Sequence, residues 1–180
     1  RFGTFLLEYL HDWHKFVPAA VHDVDFSPAQ SLASRFGLTA YEHLDEMLAR
    51  PDIDIVLITT PPHTHYALAQ QALEAGKHVF CEKPVATDAP GVRSVLETAK
   101  LAAEKKLALV SGFCWRYNPA ERDFMARIHN GDIGEIRTLY TCYNTGTLWQ
   151  KPRQPGWSDL EYQLRNWLYY QWLSGDHINE

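Results

Sequence analysis

His78-Val79-Phe80-Cys81-Glu82-Lys83-Pro84 is the stretch around which the rest of the chain is arranged. Val79-Phe80-Cys81 is short, apolar and β-prone, so it reads as a buried strand. A carboxylate, an amine and a proline follow at its end. Proline fixes φ and has no N–H to donate, so the strand stops there. In open α/β sheets ligands bind outside the carboxyl ends of the strands, which is where Glu82 and Lys83 would then sit. Taken alone, the pair reads more readily as a surface ion pair, and such pairs contribute little.

Upstream, Ile53-Asp54-Ile55-Val56-Leu57-Ile58-Thr59-Thr60 is a second strand, mostly apolar as expected when helices cover both faces of a parallel sheet. It runs into Thr60-Pro61-Pro62-His63-Thr64-His65, a strand-to-helix turn. Hydroxyls, free amides at the start of the next helix and prolines that fix the loop suit a dinucleotide pyrophosphate or adenosine. Thr59, Thr60, Pro61 and His65 are therefore candidate cofactor contacts. His63 and His65 alternate, but no third ligand is spaced to join them, and no metal is expected. His11 and His14 read as surface histidines.

The N-terminal third follows the same alternation. Thr4 to Leu10 suits a helix, and Phe16 to His22 a strand ending at Asp23. Gly3 and Asp23 are 20 residues apart, the separation of a dinucleotide fingerprint's glycines from the acid that holds the ribose 2′-OH. Gly3 would be the third glycine of that loop, with the first two and the strand before them upstream of Arg1. One glycine and one acid do not decide the matter. If the reading holds, Val24 and the lack of an arginine beside Asp23 favour NAD over NADP.

Ser27-Pro28 looks like a helix start with serine as N-cap, and Gly37 like its C-terminal stop. Tyr41 to Leu48 is expected as a second short helix. Tyr66 to Ala75 makes a helix closed by Gly76, Thr87-Asp88 opens another that runs to about Lys105, and Leu107 to Phe113 is a strand. The expected order is α, β, α, α, β, α, β, α, β, which demands a doubly wound parallel sheet over residues 1–118. Arg116 follows the last strand, where its charge would either face a phosphate or carboxamide or be structural. From 119 to 180 a second unit begins. Ala120 to Ile128 is helical, Ile136 to Tyr143 alternates like a strand with one wet face, and residues 150–156 form a polar loop. The aromatic tail holds Tyr162, Trp167, Tyr169, Tyr170 and Trp172. Such density fills a core or subunit interface more often than it stacks on sugar rings.

With 180 residues, 46% hydrophobic and 22% charged, the chain has the make-up of an ordinary soluble globule of one domain or slightly more. Its net charge of −5 argues against nucleic acid or an anionic membrane surface as main partner. No apolar run approaches the roughly 20 residues of a membrane span. Cys81, Cys114 and Cys142 lie in strand-like runs without disulfide or metal spacing, and are expected as buried thiols. Arg1 stands where a Met would, so export is left open and a cytoplasmic setting is only the default.

Together these residues resemble the Gfo/Idh/MocA family of nicotinamide-dependent oxidoreductases. The carriers are Asp23, the Thr59-Thr60-Pro61-Pro62 turn with His65, Gly76-Lys77-His78-Val79 leading to Glu82-Lys83-Pro84, and Trp115-Arg116-Tyr117-Asn118-Pro119. The resemblance implies a Rossmann domain followed by an α/β domain with a large open sheet, through which a homo-oligomer would form. It implies NAD as cofactor and a sugar, cyclitol or related polyol as substrate. Lys83 matches the motif lysine near the reacting hydroxyl, Glu82 lies near the nicotinamide end, and Lys83-Pro84 is often cis. The segment from Glu161 through Arg165 and Trp167 to His177 is similar to a subgroup with many members that look exported, and makes Arg165, Trp167 and His177 candidate substrate contacts. The family's Asp-x-x-x-His pair has its acid position at Glu180, a candidate catalytic residue, with the histidine expected beyond it. The leading expectation is a dehydrogenase. An NAD-dependent glycoside hydrolase using transient oxidation, and a non-catalytic dinucleotide sensor, are the alternatives.

Overall fold

The computed structural model describes residues 2–13 and 15–175. His14, His177 and Glu180 lie outside the described residues. In chain order the elements are α1 (Phe2–Asp12), β1 (Ala20–His22), α2 (Phe26–Phe36), β2 (Thr39–Tyr41), α3 (Leu44–Leu48), β3 (Ile55–Ile58), α4 (His65–Glu74), β4 (His78–Cys81), α5 (Ala89–Glu104), β5 (Leu109–Ser111), α6 (Pro119–His129), α7 (Asp159–Arg165) and α8 (Gln171–Ser174). Short 3₁₀ turns span Pro62–Thr64, Cys114–Tyr117 and Trp167–Tyr169.

All strands pair in parallel. β1 pairs with β2, and β3, β4 and β5 form a second sheet in that order. Helical crossovers join the strands, as parallel pairing requires. The alternation expected from the sequence is therefore present, and the architecture is that of a Rossmann-type α/β fold. The core lies where α4 and α5 cover β3 and β4: Leu48, Ile58, Ala69, Ala72, Leu73, Val79, Cys81 and Ala102 pack together. Small alanines on α4 let that helix lie close to the sheet, while Leu73, fully buried, fills the space between them.

Capping follows local chemistry. Gly37 ends α2 in the left-handed region (φ 69°), where a side chain would be strained. Asp25, not Ser27, caps the start of α2, accepting from the Ser27 N–H at 3.1 Å. An aspartate one step earlier in an extended conformation reaches the free amide better than a serine already inside the helix. Asp88 caps α5 through the Gly91 N–H.

Three further expectations change. Tyr41 closes β2 rather than opening a helix, and α3 starts only at Leu44. A three-residue strand is invisible to periodicity and exists here because β1 supplies its ladder. Residues 136–143 form no strand: they run as exposed chain, with Leu139, Tyr140 and Tyr143 each more than four-fifths exposed. Alternation alone makes no strand without a partner ladder, and among the described residues 119–175 hold helices and irregular chain. Finally, only Cys81 is a buried thiol; Cys114 and Cys142 are exposed.

Burial, followed by the neighbouring Glu82 charge, pushes the Cys81 thiol up to about 12. Alkylation needs the thiolate. In the native protein Cys81 is expected to react with iodoacetamide at least about 100-fold more slowly than after unfolding. Peptide mass mapping of native and denatured samples checks this, and rapid native labelling at Cys81 would contradict the packing described.

Candidate functional site

The strand register decides what meets at the carboxyl end of the sheet. Ile58 is level with Cys81, and Cys81 with Ser111. The ladder continues one step beyond: Glu82 N–H donates to the Ile58 carbonyl (3.0 Å) and Gly112 N–H to the Cys81 carbonyl (2.9 Å). Glu82 and Lys83 thus leave the sheet from a backbone pinned on both sides. The Lys83-Pro84 peptide bond is cis.

Glu82 has a seat made for it. A Cβ built on Gly112 would lie 2.6 Å from Glu82 Oε1 and 2.8 Å from its Cδ, so the glycine is what lets the carboxyl lie over β5. The Lys83 backbone N–H donates to Glu82 Oε2 at 3.1 Å. Partial burial raises the Glu82 carboxyl above its ordinary value, against the opposing pull of that hydrogen bond and of the Lys83 and His65 charges. Gly112 carries no motif of its own. Its signal in the sequence is a glycine at the end of the strand beside the Glu-Lys-Pro strand.

The neighbouring turn is equally fixed. Thr64 hydroxyl donates to the Pro61 carbonyl (2.8 Å), so in the 2.6 Å contact between the Thr60 and Thr64 hydroxyls the proton comes from Thr60. Thr59 lies against the start of α1, where a Cβ on Gly3 would come within 2.6 Å of Thr59 Oγ1. Close approach of helix and strand at this point is the role expected of Gly3. Asp23 stands exposed just past β1 and accepts from the Asp25 N–H at 3.0 Å. Arg116 lies exposed in the 3₁₀ turn that follows β5. Gly3, Asp23, Thr59, Thr60, Pro61, Glu82, Lys83 and Arg116 therefore all sit at carboxyl ends of parallel strands or against them. Among the described residues no three His, Cys, Asp or Glu gather as a metal site would require.

His65 is placed differently from the expectation. It is only 1% exposed, with Nδ1 2.7 Å from the Pro84 carbonyl oxygen and Nε2 2.7 Å from the Thr60 carbonyl oxygen. With both nitrogens engaged by backbone, the ring lies beneath the two turns and is not a direct cofactor contact. The local pattern could not show this, because the acceptor at Pro84 is 19 residues away.

The C-terminal segment reaches this region through α8, which packs against the Pro62–Thr64 turn. Arg165 is held by Glu161 (2.8 Å) and lies over the Trp157 ring. Trp167 packs against Trp149, with ring centroids 6.0 Å apart. Asn166, buried and not foreseen, donates to the Lys151 and Tyr162 carbonyls and accepts from the Lys151 N–H, while the Tyr169 hydroxyl donates to the Leu148 carbonyl; together they hold residues 148–151 near the end of α7.

This arrangement fits a dinucleotide: an acid past β1, a hydroxyl-rich turn past β3 crowded against a glycine, and an amine and carboxyl past β4. Residues 1–113 match the family model for an oxidoreductase family with an NAD-binding Rossmann fold. The chain belongs to the Gfo/Idh/MocA family. An inositol 2-dehydrogenase from Acidothermus cellulolyticus is 36% identical over 116 residues, covering 64% of this chain and 33% of that protein. Among solved structures, an NAD binding oxidoreductase from Klebsiella pneumoniae is similar with a TM-score of 0.56 and 35% identity, covering 65% of this chain and 30% of the other. A 3-ketoreductase from Actinomadura kijaniata in complex with NADP and TDP-benzene has a TM-score of 0.53 and 33% identity, covering 66% of this chain and 36% of the other. The Gfo/Idh/MocA chain spans less than half the length of the curated relatives it matches.

Because the folded state raises the Glu82 carboxyl above the ordinary glutamate value of 4.5, the folded form binds the proton more tightly than the unfolded one. Stability from this group is then lost as pH rises from 4.5 through the raised value. Glu82→Gln removes the dependence, so its melting temperature should gain on the wild type across that window. Gly112→Ala displaces the carboxyl from its seat and should flatten the same dependence. Thermal melts of the three proteins at stepped pH check this, and parallel curves would refute it.

Proposed function

We propose that the protein carrying this chain is a nicotinamide-dependent dehydrogenase that moves a hydride between NAD and a hydroxyl of a sugar, cyclitol or related polyol. The observation that carries the reading is the Glu82-Lys83-Pro84 turn, pinned at the carboxyl end of β4 and docked on the Thr60-Pro61 turn. An inositol dehydrogenase and a sugar-type ketoreductase among its relatives support the substrate class.

NAD, when bound, supplies the hydride acceptor or donor. Everything else falls to side chains of the chain. Asp23, exposed past β1, is the acid suited to accept from ribose hydroxyls, a contact that a 2′-phosphate would repel. The Thr59-Thr60-Pro61 turn and Gly3 provide a close, neutral approach to the cofactor. The Lys83 amine stabilises negative charge developing on the substrate oxygen and passes the hydroxyl proton on. Glu82 orients the start of the Lys83 turn through its hydrogen bond to the Lys83 N–H. Arg116 adds positive charge beside β5, suited to a phosphate or a carboxamide. By sequence register Glu180 matches the family's acid position and is proposed as a catalytic residue.

Lys83→Ala is expected to cut turnover at least about 100-fold while changing NAD affinity little. Steady-state assays on a panel of polyols, paired with equilibrium NAD binding, provide the check; a near-normal rate would remove Lys83 from the chemistry. Tightly retained NAD with sugar released from a glycoside and no net NADH would instead favour the hydrolase. Asp23→Ala should weaken NAD and bring its kcat/KM toward that of NADP, in which the 2′-phosphate no longer meets a carboxylate. Unchanged selectivity would mean that Asp23 does not hold the ribose.

A further inference from the structure

Two loops of the site come from chain segments about 20 residues apart, and one side chain bridges them. His65 opens α4 and points both ring nitrogens at backbone carbonyl oxygens: Nδ1 at Pro84 (2.7 Å) and Nε2 at Thr60 (2.7 Å). A carbonyl oxygen can only accept. A neutral imidazole has one N–H and would set its other lone pair against a carbonyl lone pair at this short distance. Only the imidazolium donates to both. The ring is sealed from water at 1% exposure, so no solvent molecule substitutes for a missing bond.

We infer that His65 is a positioning residue, a doubly donating imidazolium that locks the Lys83-Pro84 turn onto the Thr60-Pro61 turn and so places the Lys83 amine. This rests on the dehydrogenase reading above. The charged groups around the ring are consistent with it. Glu82, just past β4, is near enough for its charge and that of the ring to act on each other. Burial of the ring, Lys83 on the same turn and the N-terminal end of α4, where the helix dipole is positive, oppose it. The two short hydrogen bonds and the Glu82 carboxylate are what hold the charge there. The lock is a link of backbone to backbone through one side chain, so its loss would shift the amine without removing any group that touches cofactor or substrate.

The test has two arms on the whole protein. In the first, ring-nitrogen NMR of ¹⁵N-histidine-labelled protein, assigned with His65→Gln, reads the charge state directly. Two protonated ring nitrogens are expected, and a single N–H overturns the double donor whatever the activity. In the second, His65→Gln, Lys83→Ala and the double variant are compared. His65→Gln is expected to lower kcat at least about tenfold with a smaller change in the KM for NAD. The double variant should be no slower than Lys83→Ala alone, because His65 acts through Lys83. Multiplying losses would overturn the proposal and leave a merely structural histidine. A wild-type protein that turns over no sugar or polyol with NAD would instead sink the dehydrogenase reading, and the NMR arm would still decide the charge on the ring.

Discussion

Parallel pairing of β3, β4 and β5 is the constraint on which the site depends. A parallel ladder sets strand ends side by side however far apart they lie in sequence, because each strand must return by a helical crossover before it can pair. Ile58, Cys81 and Ser111 are brought level in this way. The residues just past them (Thr59-Thr60, Glu82-Lys83 and Gly112) then share one rim. The hydrophobic contacts of Leu73, Val79 and Ala102 keep the crossovers in place, so core packing and site geometry are the same structural fact seen from two ends.

On that rim, polar groups are held by backbone more than by one another. Glu82 accepts from the Lys83 N–H, Thr64 donates to the Pro61 carbonyl, and His65 meets the Thr60 and Pro84 carbonyls. Backbone partners do not change rotamer, so the loops they fix are rigid before any ligand arrives. Rigid placement of a charged group is what makes it effective at a reaction centre, since no energy is then spent on reorganising it. Glu82 shows the cost of such placement: partial burial raises its carboxyl even with Lys83 and His65 nearby. Gly112 is the concession on the facing strand that makes room for it.

The C-terminal third is organised differently. Its aromatics contact one another and the loop before α7, through pairs such as Trp149 with Trp167 and Trp149 with Tyr169. Asn166, at the centre, pairs with both backbone groups of residue 151. Leu139, Tyr140 and Tyr143 stay exposed along a chain that forms no ladder among the described residues.

The sequence by itself determined the elements whose signal is local. The helices from His65 and Ala89 announce themselves by periodicity and caps, Gly37 and Gly76 by their place just past a helical run, and the buried strand of Val79 by an unbroken apolar run. The Glu-Lys-Pro motif and the Pro-rich turn were legible as a site because their chemistry follows a strand end directly. Tertiary structure alone decided the rest, since those features depend on partners distant in the chain. β2 is a strand only because β1 lies beside it, and residues 136–143 are none because nothing among the described residues does. Gly112 matters only because Glu82 lies over it, 30 residues earlier in the chain. His65 looked like a ligand contact from its neighbours in sequence; its burial under two turns is set by a carbonyl at Pro84 that no local pattern encodes.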